Sequence, residues 1–264
     1  MSGAAVHFSA AYSAVYDLLH RDKPYREEAA FALDRYREIT GTLPEHAIDL
    51  ACGTGWHVAE LCERDIFTQG NDLSEAMIAR ARSRLLARQV VNHTLTVGPM
   101  ERVESRCPDP AGFALATAFY TALGYLVEPA SWDTFLKNLR RVLRPGGLLF
   151  ADVWSGHKMS RDFAPHRTRL FEDEDFRVQR ISDVTHHPAK NALNVRFNFE
   201  ITRKQDGRID RFSEDHLIRY YTEAELRTLF NAYGFRLAAV GPFLEKATRV
   251  EDAWNLWILA ERSA

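Results

Sequence analysis

The sequence predicts an α/β protein: a doubly wound, Rossmann-like sheet of seven strands with N-terminal helices and an antiparallel β insertion after the fifth strand. A short apolar strand at His46–Ala51 runs directly into a glycine-rich turn. Strands and helices then alternate up to Trp154, as they do in βαβ units. Between about residues 167 and 221 polar and apolar residues alternate with period two, which is typical of antiparallel strands. These three patterns predict the fold class.

Local patterns predict the elements of the α/β part. Apolar residues at helical spacing predict two N-terminal helices, 9–20 and 25–39. Short apolar runs predict the first five strands, at 46–51, 67–72, 94–97, 112–118 and 148–153. Helices between them are predicted at 56–64, at 75–88 after the capping residue Ser74, and at 131–143 before Pro145-Gly146-Gly147.

The alternating region is expected to form about three antiparallel strands that cover one edge of the main sheet. Gln205-Asp206-Gly207 separates two alternating segments and predicts a hairpin turn. The α/β pattern resumes with a helix from Thr222, which has capping-box spacing to Glu225, and with two closing strands. We therefore divide the chain into a core, residues 1–154 and 222–264 with a helical lid at 1–40, and a substrate-binding insertion, residues 155–221.

Composition narrows the range of partners. The formal net charge of the 264 residues is −2, so no basic surface indicates nucleic acid or an acidic membrane. No apolar run approaches the roughly 20 residues of a membrane span, and the N-terminus lacks a signal-peptide pattern. Three cysteines without metal-ligand spacing fit a reducing compartment. We expect a cytoplasmic protein without a metal site, and a homodimer remains open.

The strongest motif is Asp49-Leu-Ala-Cys-Gly-Thr-Gly55 at the end of the first predicted strand. Its small residues allow a ligand to lie against the backbone, and the next helix offers free N–H groups. Val58 stands where a dinucleotide fingerprint needs glycine or alanine, and Asp49 would repel a pyrophosphate. Asp72, which ends the second predicted strand, can accept hydrogen bonds from both hydroxyls of a ribose. The loop therefore suits a nucleoside that carries an amino acid better than it suits NAD.

With these motifs the chain resembles the class I S-adenosylmethionine-dependent methyltransferases. Within that class it is similar to the N,N-dimethyltransferases that act on nucleotide-linked amino sugars. The segments that carry the resemblance are Val15–His20, Ala51–His57, Asp72–Met77, Phe119–Tyr125 and Glu214–His216. The resemblance covers nearly the whole chain, and in that group the insertion covers the sugar nucleotide.

The resemblance implies a role for each matching position toward the cofactor, S-adenosylmethionine. Tyr16 and Tyr25 close over its methionine end, and Asp72 with Met77 holds its ribose and adenine. Pro99 departs from the pattern, because family members usually carry an aspartate there for the adenine amino group. The cofactor-binding residues implied are Tyr16, Tyr25, Asp49, Ala51, Gly53, Gly55, His57, Asp72, Leu73, Met77, Met100 and Phe119.

The acceptor is expected to lie beside Tyr125 and His216, the two candidate catalytic residues. An amine must be neutral to attack the methyl group, so either side chain could take its proton, or in-line positioning alone could suffice. Arg177 and Arg180 alternate with apolar residues and are expected to share one face, where they would bind a diphosphate. The predicted substrate-binding residues are Tyr120, Trp154, Arg177 and Arg180.

Three functions remain open at this point. The first is N-methylation of a small molecule, with a nucleotide-linked amino sugar as the leading acceptor. The second is O-methylation of a sugar or another small metabolite, because hydroxyl and amine acceptors share this scaffold. The third is a protein that binds S-adenosylmethionine without catalysis.

Overall fold

Eleven strands and seven α-helices form the part of the chain that the computed structural model describes, residues 9–106 and 112–263. The strands are β1 (His46–Asp49), β2 (Phe67–Asp72), β3 (His93–Val97), β4 (Phe113–Ala118), β5 (Leu143–Trp154), β6 (His166–Glu172), β7 (Phe176–His187), β8 (Ala192–Arg203), β9 (Ile209–Arg219), β10 (Phe235–Pro242) and β11 (Asn255–Arg262). The helices are α1 (Ala10–Leu19), α2 (Tyr25–Thr40), α3 (Trp56–Cys62), α4 (Glu75–Ala87), α5 (Pro129–Val142), α6 (Gly156–Met159) and α7 (Glu223–Ala232). None of these helices is long and apolar enough to span a bilayer.

The main sheet has seven strands in the order β10-β11-β5-β4-β1-β2-β3. β1 pairs in parallel with both β2 and β4, so the strand order reverses between β1 and β4. β11 runs antiparallel to both of its neighbours. The carboxyl ends of β1 and β4 therefore border the crevice in which open α/β sheets bind ligands.

Apolar side chains cover both faces of this sheet. Ile48 packs with residues of α5 and α7 in one buried cluster, whereas its neighbour Ala47 packs with α2 and α3 in another. Adjacent strand residues point to opposite faces, so a continuous apolar run is what a doubly covered strand requires. The seven-stranded sheet predicted from the sequence is confirmed.

Some of the predicted strand and helix boundaries are confirmed and others are wrong. β2 has the predicted bounds, and α7 begins with the predicted capping box between Thr222 and Glu225. β5, however, starts at Leu143 instead of residue 148, with a register shift opposite Phe113–Leu115. The Pro145-Gly146-Gly147 segment thus follows the end of α5, but β5 pairs with β4 on both sides of it.

The insertion has four antiparallel strands, in the order β6-β7-β8-β9, so the prediction of about three was wrong. The strand that was missed is β6, in which six of seven residues are exposed. An edge strand with few buried side chains lacks the apolar alternation by which strands are recognised. The predicted hairpin turn at Asp206-Gly207 does connect β8 with β9.

The insertion sheet lies over the carboxyl ends of the main strands and not along an edge of the main sheet. Its strand β9 contacts the 3₁₀ turn Ala122–Tyr125, which follows β4. One of its faces packs on α1, through a cluster that includes Tyr12, Val178 and Phe199. We call the face that contacts α1 and this turn the inner face.

Candidate active site

The glycine loop leaves its backbone open toward the crevice. Gly55 caps α3 with φ of +81°, and a Cβ at this position would lie 2.8 Å from the Cβ of Ala81. Gly53 has φ of +53°, and a Cβ there would have no atom within 4 Å. Gly55 is therefore required by packing against α4, whereas the space beside Gly53 is free for a ligand.

Asp49 places an unsatisfied carboxylate oxygen at the end of β1. Oδ1 accepts a hydrogen bond of 3.0 Å from the Thr117 hydroxyl, whereas buried Oδ2 has no partner among the described residues. Burial and, to a smaller extent, the charge of the nearby Asp72 raise the pKa of Asp49 to about 7, against the hydrogen bond from Thr117. A ligand ammonium would supply the missing donor and the opposite charge, so this site fits the amino-acid end of S-adenosylmethionine.

Asp72 connects the glycine loop to the start of α4. Its two carboxylate oxygens accept backbone N–H bonds from Gly53 and Ser74, each of 2.8 Å. Burial raises the pKa of Asp72, and these two hydrogen bonds oppose the rise. Each oxygen keeps a lone pair for a further donor, as two ribose hydroxyls would require.

His57 lies in a group of aromatic side chains next to the glycine loop. The ring of His57 stacks on Phe119 at 3.9 Å, and its Nε2 lies 2.7 Å from the carboxylate of Glu28. Burial lowers the pKa of His57, and the contact with Glu28 opposes the change. Tyr25 meets the edge of His57 at 5.1 Å, and its buried hydroxyl has no partner among the described residues.

Helix α1 is held against the glycine loop by Asp17, which sequence analysis did not identify. Its carboxylate accepts hydrogen bonds from the Thr54 hydroxyl at 2.8 Å and from Arg84 of α4 at 2.7 Å. This contact places Tyr16 near Asp72. Burial raises the pKa of the Tyr16 hydroxyl, and the charge of Asp72 adds a smaller increase. Helix α1 thus lies on the glycine loop.

The remaining predicted cofactor residues differ in environment. Met77 is fully buried among α1 and the insertion, whereas the Leu73 side chain is 61% exposed. Ala51 and Met100 are half-buried and pack against the main core. Pro99 precedes Met100 at the start of a 3₁₀ turn and offers no acidic side chain at the position predicted to face adenine.

Tyr125 and His216 are in direct contact, and they join the core to the insertion. The Tyr125 hydroxyl lies 2.8 Å from His216 Nδ1, and His216 Nε2 lies 3.4 Å from the Glu214 carboxylate. Burial raises the pKa of Tyr125 far above its usual value, so its hydroxyl keeps its proton at neutral pH. Glu214 also accepts a hydrogen bond of 2.9 Å from the backbone of Ser9, the N-cap of α1.

Tyr120 follows the end of β4 in a strained backbone conformation. Both Tyr120 and Thr121 have φ of +59°, and the buried carboxylate of Asp152 accepts their backbone N–H groups. Burial raises the pKa of Asp152 to about 6. Tyr120 is half-exposed, and its hydroxyl lies 3.0 Å from His20 Nε2. Trp154 packs in an apolar cluster at the base of the insertion.

The expectation that Arg177 and Arg180 share one face was wrong. Two strand residues that are three positions apart point to opposite faces. Arg177 is exposed on the outer face, 3.6 Å from Glu172. Arg180 lies on the inner face between the rings of Phe171 and Phe197, with its guanidinium 5.3 Å and 4.9 Å from their centroids.

Several site residues escaped sequence analysis. Glu28 bonds His57 from α2, Asp17 docks α1, and Glu214 supports His216. Each acts through a tertiary contact between distant segments, which local spacing does not show. Glu214 and Asp17 had a signal, because they lie in the segments Glu214–His216 and Val15–His20 that carried the resemblance.

Comparisons with known proteins confirm the resemblance. Residues 47–147 match the family described as "Methyltransferase domain". The dTDP-3-amino-3,4,6-trideoxy-alpha-D-glucopyranose N,N-dimethyltransferase of Streptomyces venezuelae is 28% identical, over 84% of this chain and 89% of that protein. The dTDP-3-amino-3,6-dideoxy-alpha-D-glucopyranose N,N-dimethyltransferase of Streptomyces fradiae is 25% identical, over 88% and 87%.

A solved structure shows the same architecture. CalS10 with SAM bound, an amino pentose methyltransferase from Micromonospora echinaspora involved in calicheamicin biosynthesis, superimposes with a TM-score of 0.72. It is 25% identical, and the match covers 98% of this chain and 99% of that one.

Proposed function

We propose that this chain, an S-adenosylmethionine-dependent methyltransferase, transfers a methyl group to the amine of a nucleotide-linked amino sugar. The observation that carries the proposal is the hydrogen bond of 2.8 Å between Tyr125 and His216. It joins the turn that follows β4 to the inner face of the insertion. Relatives of this chain over most of its length bear the names of amino-sugar N,N-dimethyltransferases.

The residues of the core hold the cofactor and exclude water from it. Bound S-adenosylmethionine supplies a methyl group that is already activated on a sulfonium. Asp49 would hold its ammonium and Asp72 its ribose, while Tyr16 and Tyr25 would cover the methionine end. The aromatic faces of Phe119 and Tyr120 suit the cationic centre because they stabilise positive charge without offering a nucleophile.

The Tyr125–His216 pair offers the acceptor a route for its proton. The Tyr125 oxygen can accept a proton from an ammonium as its own proton passes to His216 Nδ1, which leaves a neutral amine and an imidazolium. Glu214 lies beside the other ring nitrogen and would stabilise that imidazolium. The neutral amine then needs only to be held in line with the methyl group.

The test is turnover with matched acceptors. A dTDP-linked 3-amino sugar is incubated with S-adenosylmethionine, and the products are identified by mass spectrometry. The control is the dTDP-linked sugar with a hydroxyl in place of the amine. We expect mono- and dimethylated amine products and no methylation of the control. Methylation of the hydroxyl sugar alone would establish the O-methyltransferase alternative, and S-adenosylhomocysteine binding without turnover of any acceptor would establish the non-catalytic one.

Two further proposals concern the setting of the enzyme. We place the reaction in the cytoplasm, where S-adenosylmethionine and nucleotide-linked sugars are available and three thiols would stay reduced. A homodimer stays a prediction, and sedimentation velocity at micromolar concentration decides between it and a monomer.

A further inference from the structure

His20, which follows the last residue of α1, is held in one tautomer by its surroundings. Its Nδ1 lies 2.8 Å from the main-chain carbonyl oxygen of Tyr16, and a carbonyl can only accept, so Nδ1 carries the proton. Burial, with smaller contributions from the charges of Arg180 and Lys23, lowers the pKa of His20 to about 4, against the hydrogen bond to Tyr16. The ring is therefore neutral at pH 7, and its unprotonated Nε2 can only accept a hydrogen bond.

This tautomer fixes the direction of the hydrogen bond between His20 and Tyr120. The Tyr120 hydroxyl lies 3.0 Å from His20 Nε2. Burial raises the pKa of this hydroxyl, so it keeps its proton and donates it to Nε2. Among the described residues His20 is its only hydrogen-bond partner. The Tyr120 oxygen therefore keeps lone pairs for a ligand, toward which it can act only as a hydrogen-bond acceptor.

The backbone of Tyr120 is held as firmly as its hydroxyl. Its φ of +59° is one that side-chain-bearing residues rarely adopt, and the Asp152 carboxylate fixes it by accepting the N–H groups of Tyr120 and Thr121. Tyr120 is nevertheless 51% exposed, although burial raises the pKa of its hydroxyl. Its accessible surface thus lies in a recess and not on an open face of the protein. A side chain fixed at both ends beside a recess is preorganised for a ligand.

Aromatic rings connect Tyr120 with the Tyr125–His216 pair through α1. In this series each ring centroid lies 4.2–6.2 Å from the next: Tyr120, His20, Tyr16, Tyr12 and His216. Both Tyr120 and Tyr125 follow β4, at whose carboxyl end the crevice lies. Of the charged groups that act on the Tyr125 hydroxyl, Tyr120 has the largest effect. Two tyrosine–histidine hydrogen bonds, one from α1 and one from the insertion, are thus close together at the crevice.

We infer that His20 is a positioning residue, which holds the Tyr120 hydroxyl so that its oxygen accepts a hydrogen bond from the amine of the acceptor. A primary ammonium has three N–H groups, so Tyr120 can accept one of them while another faces Tyr125. The contact restricts rotation of the neutral amine, so that its lone pair stays in line with the methyl group. The inference rests on the proposed function, because it takes the acceptor to be an amine.

The test measures acceptor binding without methyl transfer. A dTDP-linked 3-amino sugar is titrated by calorimetry into the full-length protein saturated with S-adenosylhomocysteine. Tyr120→Phe removes the oxygen, and we expect about 10–100-fold weaker binding, as for a lost hydrogen bond to a charged group. His20→Phe keeps a ring to stack on Tyr16 but frees the Tyr120 hydroxyl to turn its proton toward the ammonium. We expect it to weaken binding by up to the same factor.

Two further variants distinguish positioning from a structural role of His20. In the Tyr120→Phe background, His20→Phe should cause no further loss, because the hydroxyl through which His20 acts is already absent. His20→Gln should restore most of the affinity lost in His20→Phe, because its side-chain carbonyl can accept the same hydrogen bond. The matched control is His186→Phe, which removes a hydrogen bond of 2.9 Å to Tyr220 at the base of the insertion and should bind as the wild type does.

Several outcomes would overturn the inference while the proposed reaction stands. One is a wild type that methylates the amino sugar and single variants that bind it equally tightly. Another is a set of losses that add up in the double variant, which would give His20 a structural role. A third is a Tyr120→Phe variant that binds S-adenosylmethionine more weakly but S-adenosylhomocysteine normally, because the oxygen would then face the sulfonium. Tyr120→Phe removes one oxygen from a half-exposed side chain, so it decides the matter if His20→Phe does not fold.

The remaining outcomes concern the proposed reaction itself. Weaker binding of the amino sugar in both single variants, without its methylation by the wild type, would keep the contact and reject the reaction. No binding of the amino sugar by the wild type would reject the proposed acceptor and the inference with it.

Discussion

The groups proposed to bind the cofactor sit on one strand-to-helix connection and on the strand beside it. Asp49, Gly53 and Gly55 are within seven residues of one another, and Asp72 ends the adjacent strand. On the acceptor side, Tyr125 follows β4, whereas His216 and Arg180 come from separate strands of the insertion. The first half is built from local backbone geometry and the second from long-range pairing. The two halves should therefore respond differently to substitution.

The largest effect is expected where backbone geometry is most constrained. Gly55→Ala adds a Cβ 2.8 Å from that of Ala81 and forces alanine into φ of +81°. We expect a loss of about 2–5 kcal/mol in the free energy of unfolding, from strain and overpacking together. Urea denaturation measures it. Gly146→Ala is the control, because φ is +74° there but no atom lies within 4 Å of the added Cβ. Equal losses in both variants would show that the contact with Ala81 relaxes easily.

The next effect concerns cofactor affinity. Asp72→Ala removes the acceptor for two backbone N–H groups and for the ribose hydroxyls. We expect S-adenosylhomocysteine to bind more weakly by about 1–3 kcal/mol, measured by titration calorimetry. Asp72→Asn keeps the size of the side chain but loses its charge, so it should lie between alanine and the wild type. An unchanged affinity in Asp72→Ala would mean that the ribose is held elsewhere.

The contrast between the two halves also explains what the sequence could predict. The glycine loop, β2 and the cap at Ser74 follow from residues close together in the chain, and the structure has them where they were expected. Strand geometry alone places Arg177 and Arg180 on opposite faces, because two strand residues three positions apart never share a face. The prediction of a shared face was therefore an error in applying a local rule. The pairing of Arg169 with Arg180 depends on the register between β6 and β7, and β6 was not recognised as a strand. Glu28, Asp17 and Glu214 act through contacts between distant segments, which no local pattern predicts.

A smaller effect is expected when the pH is changed, and it concerns the affinity for the cofactor. Burial raises the pKa of Asp49 to about 7 in the free protein. The ammonium of the ligand favours the carboxylate, so binding lowers this pKa and the affinity falls as the pH drops below 7. We expect S-adenosylhomocysteine to bind up to about tenfold more weakly per pH unit in that range. In Asp49→Asn this dependence should disappear, and titrations between pH 5.5 and 8.5 compare the two. A wild-type affinity that stays flat over this range would mean that Asp49 does not face the ammonium.

The smallest effect is expected at the contact that joins the two halves. Tyr125→Phe removes the hydroxyl that bonds His216, and His216→Asn removes the imidazole that would take the proton. The methyl donor is already activated, and a neutral amine attacks without help, so in-line positioning should dominate the rate. We expect either variant to lower kcat by no more than about tenfold on an amine acceptor, well below the 10²–10⁴-fold typical of general-base catalysis. The pH–rate profile should shift, because neutral amine then has to come from solution. A loss beyond about a thousandfold with cofactor affinity intact would show that proton removal limits the reaction. That result would favour a hydroxyl acceptor, since a hydroxyl cannot attack the methyl group unless a base removes its proton.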